Sequence, residues 1–424
     1  MKDFLRAYRF SIVLLGSIIL GAILGICLGS KALVLKPFGD LFLNLMFMII
    51  IPLVFFSVTS AIANMKGMKR FGKIIASTFI VFLCTALAAS VIGIIGAFIV
   101  NPARGIDYMA LKQIVSGGTD SVQQVKQVGI LQQLVNTITV SEFISLFSKS
   151  NMLQLIVFSI LFGISTAALG EKGEPVTKFF TAASSVMMKM VEIVMYYAPI
   201  GLGCYFAAVI GELGPKILQG YLRAFILYII ISVIYYFGFF TLYAFLSGGK
   251  HTIKLFWKNA VVPTITALAT CSSAASIPVN LEFTKKMGVP KDVAETVIPL
   301  GANVHKDGSV IGGVIKIVFL FGLFGKDMTN VSCISSIIFV SFLVGAVMAA
   351  IPSGGMIGEM LILSIYGFPQ ELLPIVAVIS VIIDAPATVL NSTGNTVCSM
   401  MISRLVEGKG WIRDKANSVT SSKY

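Results

Sequence analysis

The chain has 424 residues, of which 57% are hydrophobic and 12% charged, with a mean hydropathy of +0.93 and a formal net charge of +13. A soluble domain is about 45–50% apolar and about 25% charged, so this composition excludes a soluble globular protein and predicts a polytopic, all-α membrane protein. The basic residues lie mostly in short runs between apolar segments, as in cytoplasmic loops, and no basic-aromatic stripe supports a nucleic-acid partner.

Residue types that carry enzyme or metal chemistry are sparse. Six cysteines without CxxC spacing and only two histidines indicate neither a disulfide framework nor a metal centre, and no cofactor is expected. The sequence contains no G-x-S-x-G elbow, so we do not expect an enzyme. The informative polar residues are therefore those inside the apolar segments.

Six apolar segments of about 20 residues or more predict the first six transmembrane helices. They cover residues 10–30, 41–65, 75–100, 151–170, 180–211 and 221–246. The first apolar run is too long for a typical signal peptide and is interpreted as a membrane span. Basic runs at 66–73, 171–178 and 249–258 share one side when the N-terminus is cytoplasmic, which satisfies the positive-inside rule. The polar segment 101–150 is predicted to be a long loop on the opposite side.

After residue 258, small and polar residues interrupt the apolar segments. Residues 260–281 and 332–368 each contain two apolar arms around a tip, which predicts two re-entrant helical hairpins. Each is followed by a helix with polar interruptions, at 292–325 and at 371–404. This inverted repeat points to a transport site at the membrane midplane, although two unrelated glycine-rich kinks are the alternative. The predicted fold has eight transmembrane helices and two re-entrant hairpins, with the C-terminus also cytoplasmic.

The stretch from Pro299 to Ser309 concentrates ionisable side chains at membrane depth, namely His305, Lys306 and Asp307. Such groups are expensive in a bilayer and persist where they line a cavity or contact a substrate or ion. Proline and glycine allow the helix to unwind there. The sequence therefore predicts a helix broken at a binding site, while Lys316 in the following apolar run is interpreted as a snorkelling or cavity-edge residue.

Four motifs resemble those of the dicarboxylate/amino acid:cation symporters. They are a serine-rich tip at 270–276, GA-x-x-x-x-DG-[ST] from 301, a tip with proline and glycine at 349–355, and D-x-x-x-T-x-x-N-x-x-G from 384. The resemblance implies a homotrimer in the cell membrane that carries small amino acids with Na⁺ or H⁺ by elevator-type alternating access. It divides the chain into scaffold helices at 1–72, transport helix three at 73–100, a loop with scaffold helices at 101–219, the remaining transport domain at 220–408 and a cytoplasmic tail at 409–424.

The resemblance also implies the substrate site. Asp384 matches the carboxylate that holds the substrate's α-amino group, and Asn391 matches a contact to the substrate's carboxylate. The full set of expected substrate-binding residues is Ser272, Ser273, Ser309, Ile351, Pro352, Gly355, Asp384, Thr388 and Asn391.

Two departures from the family pattern bear on the substrate. Ala387 stands where members with acidic substrates carry arginine, and Cys271 stands where archaeal members carry another arginine. Arginine is the bidentate clamp for a carboxylate, so its loss favours a neutral amino acid. An acidic amino acid or dicarboxylate is the alternative, because another cation in the pocket would compensate. A channel is the alternative of a different class.

The cation-coupling residues depart further. The resemblance places them at Thr85, His305, Lys306, Asp307, Asn391 and Asn395, with Na⁺ ligands expected at Asp307 and Asn391. His305 and Lys306 replace an asparagine and a methionine of the family motif. In one interpretation Lys306 is a fixed charge beside Asp307 that stands in for sodium, giving proton coupling or uniport. In the other, Lys306 points into a water-filled crevice and a reduced sodium set drives transport.

Overall fold

The protein is described by a computed structural model that covers residues 2–64, 69–104, 139–148, 151–213, 216–326, 328, 330–348, 354–369, 372–408 and 410–412. These residues form helices and short connections, and they contain no β-strand. An all-helical chain satisfies its backbone hydrogen bonds within each segment, which an apolar environment requires. Most of the predicted loop 101–150 lies outside the described residues, as do positions 349–353 of the second tip.

The described residues up to Leu213 form six α-helices. They are α1 Lys2–Leu28, α2 Lys36–Ala63, α3 Lys69–Val100, α4 Met152–Ala168, α5 Glu174–Met195 and α6 Ala198–Leu213. Helix α1 packs on α6, and α2 packs on α4, α5 and α6. The α1–α6 contact is close at Gly21, where an added Cβ would lie 2.3 Å from the carbonyl oxygen of Gly203. Small residues allow helix backbones to approach in this way.

The second part forms nine helices within the described residues. They are α7 Lys216–Ile234, α8 Phe240–Gly248, α9 Lys250–Thr270, α10 Ser273–Lys286, α11 Lys291–Val304, α12 Asp307–Leu323, α13 Val331–Val347, α14 Gly354–Tyr366 and α15 Leu373–Glu407. A π-helical segment, Tyr235–Phe239, joins α7 to α8. Single π turns inside helices are rare and often occur at functional sites.

Four described segments are long and apolar enough to cross a membrane: 16–60, 72–100, 217–248 and 373–407. A fifth is available if the bent pair α5–α6 forms one span. The predicted fifth helix is therefore not a single rod, because the chain bends by 59° after Met195. The number of membrane crossings stays a prediction.

The expected break in the seventh helix is confirmed. Residues 292–325 divide into α11 and α12. Between them His305 has an extended backbone, and Lys306 (φ −146°, ψ 76°) also lies outside the helical region. The expected interruption of the last helix is wrong, because α15 runs without a break through Pro386. Surrounding helices, including α9 and α12, pack on α15, and such neighbours support a helix that contains a proline in an apolar environment.

Both predicted hairpins contain pairs of helices that pack on each other, α9 with α10 and α13 with α14. In the first, Cys271 turns the chain with a left-handed backbone (φ +46°), and Ser272 caps α10 by accepting a hydrogen bond from the Ala275 N–H. In the second, Asn330 caps α13. Whether either pair re-enters the membrane from one side stays a prediction, as does the division into scaffold and transport domains.

Candidate functional site

The break between α11 and α12 presents His305 to three other elements of the fold. Its Nε2 lies 2.7 Å from Thr85 Oγ1 on α3 and 3.1 Å from Asp307 Oδ1, and its Nδ1 lies 2.9 Å from Asn395 Oδ1 on α15. The imidazole stacks on Phe82 with ring centroids 4.0 Å apart. The side chain is only 3% exposed, so the ring is fixed between α3, α12 and α15.

The hydrogen bonds around His305 constrain its protons. Asn395 Nδ2 donates to the carbonyl of Asn391 at 2.8 Å, so Asn395 Oδ1 faces the imidazole and Nδ1–H donates to it. The Thr85 hydroxyl then has two arrangements. It donates to Nε2 of a neutral ring, or it donates to the Phe82 carbonyl at 3.2 Å and accepts from the Nε2–H of an imidazolium.

Asp307 is the anionic centre of this cluster and is fully buried. Its Oδ2 accepts a hydrogen bond from Tyr235 at 2.9 Å, and Tyr235 OH also lies 3.0 Å from Tyr243 OH. Asp307 is the first residue of α12, where the helix dipole favours a negative charge. The π-helical segment begins at Tyr235, so this irregular turn places the tyrosine against the carboxylate.

The tyrosines of the sixth predicted span were missed as site residues. Tyr228 donates to the Gly308 carbonyl at 2.9 Å, and Tyr235 and Tyr243 contact the cluster as described. Residues seven apart lie close to one face of an α-helix. The spacing of Tyr228, Tyr235 and Tyr243 therefore indicated that the three tyrosines share a helix face. The last two are eight residues apart, and the sequence pattern did not reveal the π turn between them.

Ser309 and Asn391, two of the expected substrate-binding residues, form a reciprocal hydrogen-bonded pair. The Ser309 N–H donates to Asn391 Oδ1 at 3.1 Å, and Asn391 Nδ2 donates to Ser309 Oγ at 3.0 Å. The pair joins the start of α12 to α15, which approach closely because Gly308 has no side chain. An added Cβ there would lie 2.6 Å from the Ala387 carbonyl oxygen.

Asp384 is exposed in the middle of α15, although Ile383 and Ala387 beside it are buried. Its charge interacts with those of Lys306 and Lys316, both of which are buried. Asp384 is thus an accessible carboxylate that interacts with two buried lysines. The structure therefore corrects one interpretation: the basic group beside Asp307 is His305, whereas Lys306 interacts with Asp384.

Lys316 is also not a snorkelling residue. It is 1% exposed, and its Nζ donates to Glu359 Oε1 at 3.1 Å and to Ser380 Oγ. The sequence offered no pattern that pairs it with Glu359, because the two residues belong to different helices, α12 and α14.

The remaining predicted residues are more dispersed. The described hydrogen bonds of Ser272 stay within its own hairpin, and Ser273 and Thr388 are buried. Gly355 packs on α15, where an added Cβ would lie 3.1 Å from Ser380 Oγ. Ile351 and Pro352 lie outside the described residues.

The side chains around His305 leave no room for a sodium ion between Thr85, Asp307 and Asn395. A hard cation prefers oxygen ligands, and oxygens of Thr85, Asp307 and Asn395 do converge there. The imidazole of His305 already fills the space between them. Among the described residues, no group of three or more histidine, cysteine, aspartate or glutamate side chains could hold a metal ion.

Substitution of Gly301 tests how closely α11 packs against Asn395, which holds His305. A Cβ at this position would lie 2.2 Å from Asn395 Oδ1, so Gly301→Ala should displace the amide that holds His305 and destabilise the protein by about 1–3 kcal/mol. Thermal unfolding in detergent measures this loss. Gly72→Ala on α3 has nothing within 4 Å of its new Cβ and is the matched control. Equal unfolding temperatures for the two variants would contradict the packing described here.

Comparison with known proteins extends over nearly the whole chain. The family model described as "Sodium:dicarboxylate symporter family" matches residues 10–405. A Proton/sodium-glutamate symport protein of Bacillus caldotenax is 30% identical over 403 residues, covering 91% of this chain and 93% of that protein. A Proton/glutamate-aspartate symporter of Bacillus subtilis (strain 168) is 28% identical over 421 residues, covering 95% and 96%. A C4-dicarboxylate transport protein of the same strain is 29% identical over 411 residues, covering 93% of each chain.

The match over residues 10–405 includes every residue of the candidate site. The chain belongs to the sodium:dicarboxylate symporter family.

Proposed function

We propose that this protein is a cation-coupled symporter of a small acidic amino acid or C4-dicarboxylate, in which Lys306 faces a substrate carboxylate and Asp384 holds the α-ammonium group of an amino-acid substrate. The single observation that carries the proposal is the accessible Asp384 carboxylate, which interacts electrostatically with the buried Lys306 side chain. Relatives named for glutamate, aspartate and C4-dicarboxylates support the substrate class. They favour the alternative stated above over the neutral amino acid that the loss of arginine suggested.

Lys306 supplies the cation that Ala387 lacks. A substrate with two carboxylates needs positive charge in its pocket, and an ammonium group provides it as a compact point charge. Lysine lacks the planar fork of arginine, so it imposes less geometry on the carboxylate it faces. We therefore expect a site that accepts several short dicarboxylates rather than one.

A neutral amino acid is the second candidate substrate. Ala387 favours it, because no guanidinium is available at that position to clamp a side-chain carboxylate. If Lys306 and Asp384 neutralise each other, a zwitterion such as serine also matches the charge of the site. The two candidates differ in whether Lys306 is needed for binding.

His305 takes the place of a cation beside Asp307 in this proposal. Its contacts with Thr85 and Asn395 support the assignment, since these oxygens converge on the ring as they would on an ion. Coupling then uses protons or a reduced set of sodium ions. We also retain the homotrimer, the cytoplasmic termini, the scaffold and transport domains, and the hairpin residues Ser272, Ser273, Ile351 and Pro352 as parts of the proposal.

Uptake into proteoliposomes tests the proposal. Purified protein is reconstituted, and labelled glutamate, aspartate, succinate and serine are offered under a sodium gradient alone, a proton gradient alone and neither. We expect saturable uptake and counterflow of the acidic substrates under at least one gradient. Uptake of serine alone would select the second candidate, and a large current without exchange would indicate a channel.

Lys306→Met is expected to weaken succinate and glutamate binding by about tenfold or more, the loss typical of removing a charged hydrogen-bonding partner. The reason is that the substrate's second carboxylate loses its cation. Isothermal titration of purified protein measures the change. Lys291→Met, at an exposed lysine at the start of α11, is the control. Affinities within a factor of about two of the wild type would reject Lys306 as the substrate's cation.

A further inference from the structure

A second buried charge cluster lies outside the site assigned above. Lys316 on α12, Glu359 on α14 and Ser380 on α15 form a closed triad. Lys316 Nζ lies 3.1 Å from Glu359 Oε1, Lys316 donates to Ser380 Oγ, and the Ser380 hydroxyl donates to the same Glu359 oxygen. Lys316 and Glu359 are 1% and 0% exposed. The triad therefore links α14, the second arm of the second hairpin, to α12 and α15.

Stability does not account for this triad. Taking two charges out of water carries a desolvation penalty that their attraction repays only when every remaining polar atom is satisfied. In the described part of the chain, Glu359 Oε2 is buried without a hydrogen-bond partner. An apolar pair of the same volume would serve stability as well or better. The best-attested use of such a buried polar group is to fix the register of two elements.

Two predicted substrate-binding residues, Gly355 and Asp384, each lie one helical turn from a member of the triad. On α14, Gly355 lies one turn before Glu359, and residues four apart share a helix face. On α15, Asp384 lies one turn after Ser380, about 6 Å along the axis. Gly355 itself packs on Ser380, where a Cβ would lie 3.1 Å from Oγ. Both helices therefore meet at the triad with their substrate-site residues beside it.

The charge of Lys316 also acts on the site. It interacts electrostatically with Asp384 as well as with Glu359. Glu359 holds the Lys316 ammonium at the crossing of α14 and α15, so a shift of α14 would change the field at Asp384 as well as the position of Gly355. A shift of α14 would therefore alter both the shape and the electrostatic field of the substrate site.

We propose that the Lys316–Glu359–Ser380 triad is a positioning element that sets the register of α14 against α15 and thereby the distance between Gly355 and Asp384 across the substrate site. The inference rests on the proposed function for the roles of Gly355 and Asp384. The triad does not touch the substrate. The triad affects substrate affinity by fixing the position of α14 in the second hairpin.

Variants of the triad separate a positioning role from a structural one. Lys316→Met and Glu359→Gln each leave a buried charge without its counter-charge, so both should lower the unfolding temperature and weaken succinate and glutamate binding by about tenfold, a typical coupling between contacting residues. The double variant Lys316→Met/Glu359→Met replaces the pair with apolar side chains. It should regain the wild-type unfolding temperature while its affinities stay weak, because methionines pack without a preferred register. Wild-type affinity in the double variant would overturn the proposal.

An exposed ion pair provides the control. Lys285 and Glu295 are 2.7 Å apart with side chains 36% and 43% exposed, and exposed pairs contribute little. Lys285→Met should therefore change neither unfolding temperature nor affinity. Ser380→Ala, which keeps the ion pair but removes the hydroxyl that links it to α15, should weaken binding without a comparable loss of thermal stability.

Hydrogen–deuterium exchange tests the role of the triad without a measurement of substrate binding. Backbone amides of α14 should exchange faster in the double methionine variant than in Lys285→Met, because the helix loses its fixed register. If the wild type binds neither succinate nor glutamate, the proposed function fails, and the exchange of α14 alone then decides the triad. Equal exchange in the double variant and the control would overturn it.

Discussion

Replacement of His305 by asparagine is expected to make substrate binding depend on sodium. The change removes the imidazole and leaves oxygens of Thr85, Asp307 and Asn395 around the vacated space, together with a new amide oxygen. Oxygen ligands with one negative charge suit a hard cation. Because ion and substrate would then bind to the same helix junction, substrate affinity should rise about tenfold in sodium relative to potassium, a typical coupling between two sites.

The measurement is isothermal titration of succinate and glutamate in sodium chloride and in potassium chloride at constant ionic strength. His251→Asn is the matched control, since the chain's other described histidine is exposed at the start of α9. His305→Leu removes the ring without adding an oxygen and should show no sodium response. A wild type that already requires sodium as strongly as His305→Asn would refute the idea that the imidazole stands in for a cation.

Asp384→Asn is expected to abolish glutamate and aspartate binding while succinate binding is kept or tightened. The α-ammonium of an amino acid needs a counter-charge, and removing one partner of such a desolvated pair costs about 2–5 kcal/mol, or a loss in affinity of about thirtyfold or more. Succinate has no ammonium group. Without Asp384, the charge of Lys306 is no longer balanced, which favours a dianion.

Binding to this variant shows which substrates depend on the Asp384 carboxylate. The same titrations compare glutamate, aspartate, succinate and serine on the wild type, on Asp384→Asn and on Asp292→Asn. The last changes an exposed carboxylate near the start of α11 and should leave every affinity unchanged. Unchanged glutamate affinity in Asp384→Asn would remove Asp384 from the substrate site.

Much of the fold followed from patterns that act locally. The apolar spans and the presence of a break within 299–309 were predictable, because hydropathy and clustered polar residues act within a few turns of one helix. The proline is not its cause, since Pro299 lies inside α11 and the break is at His305 and Lys306. The same reasoning failed at α15, where Pro386 and the polar run around it do not break the helix. Whether a helix tolerates a proline depends on the helices packed around it, which a local pattern does not contain.

The sequence by itself determined the class of protein, the broken helix and the family motifs, because these depend on composition and on residues close together in the chain. Only the tertiary structure decided the partners within the site. His305 contacts Thr85, 220 residues away, and Asn395, 90 residues away, while Lys316 meets Glu359 across 43 residues. Two adjacent basic residues look equivalent in a sequence. The packing of α3 and α15 against the break turns His305 to Asp307, and the charge of Lys306 acts on Asp384 instead.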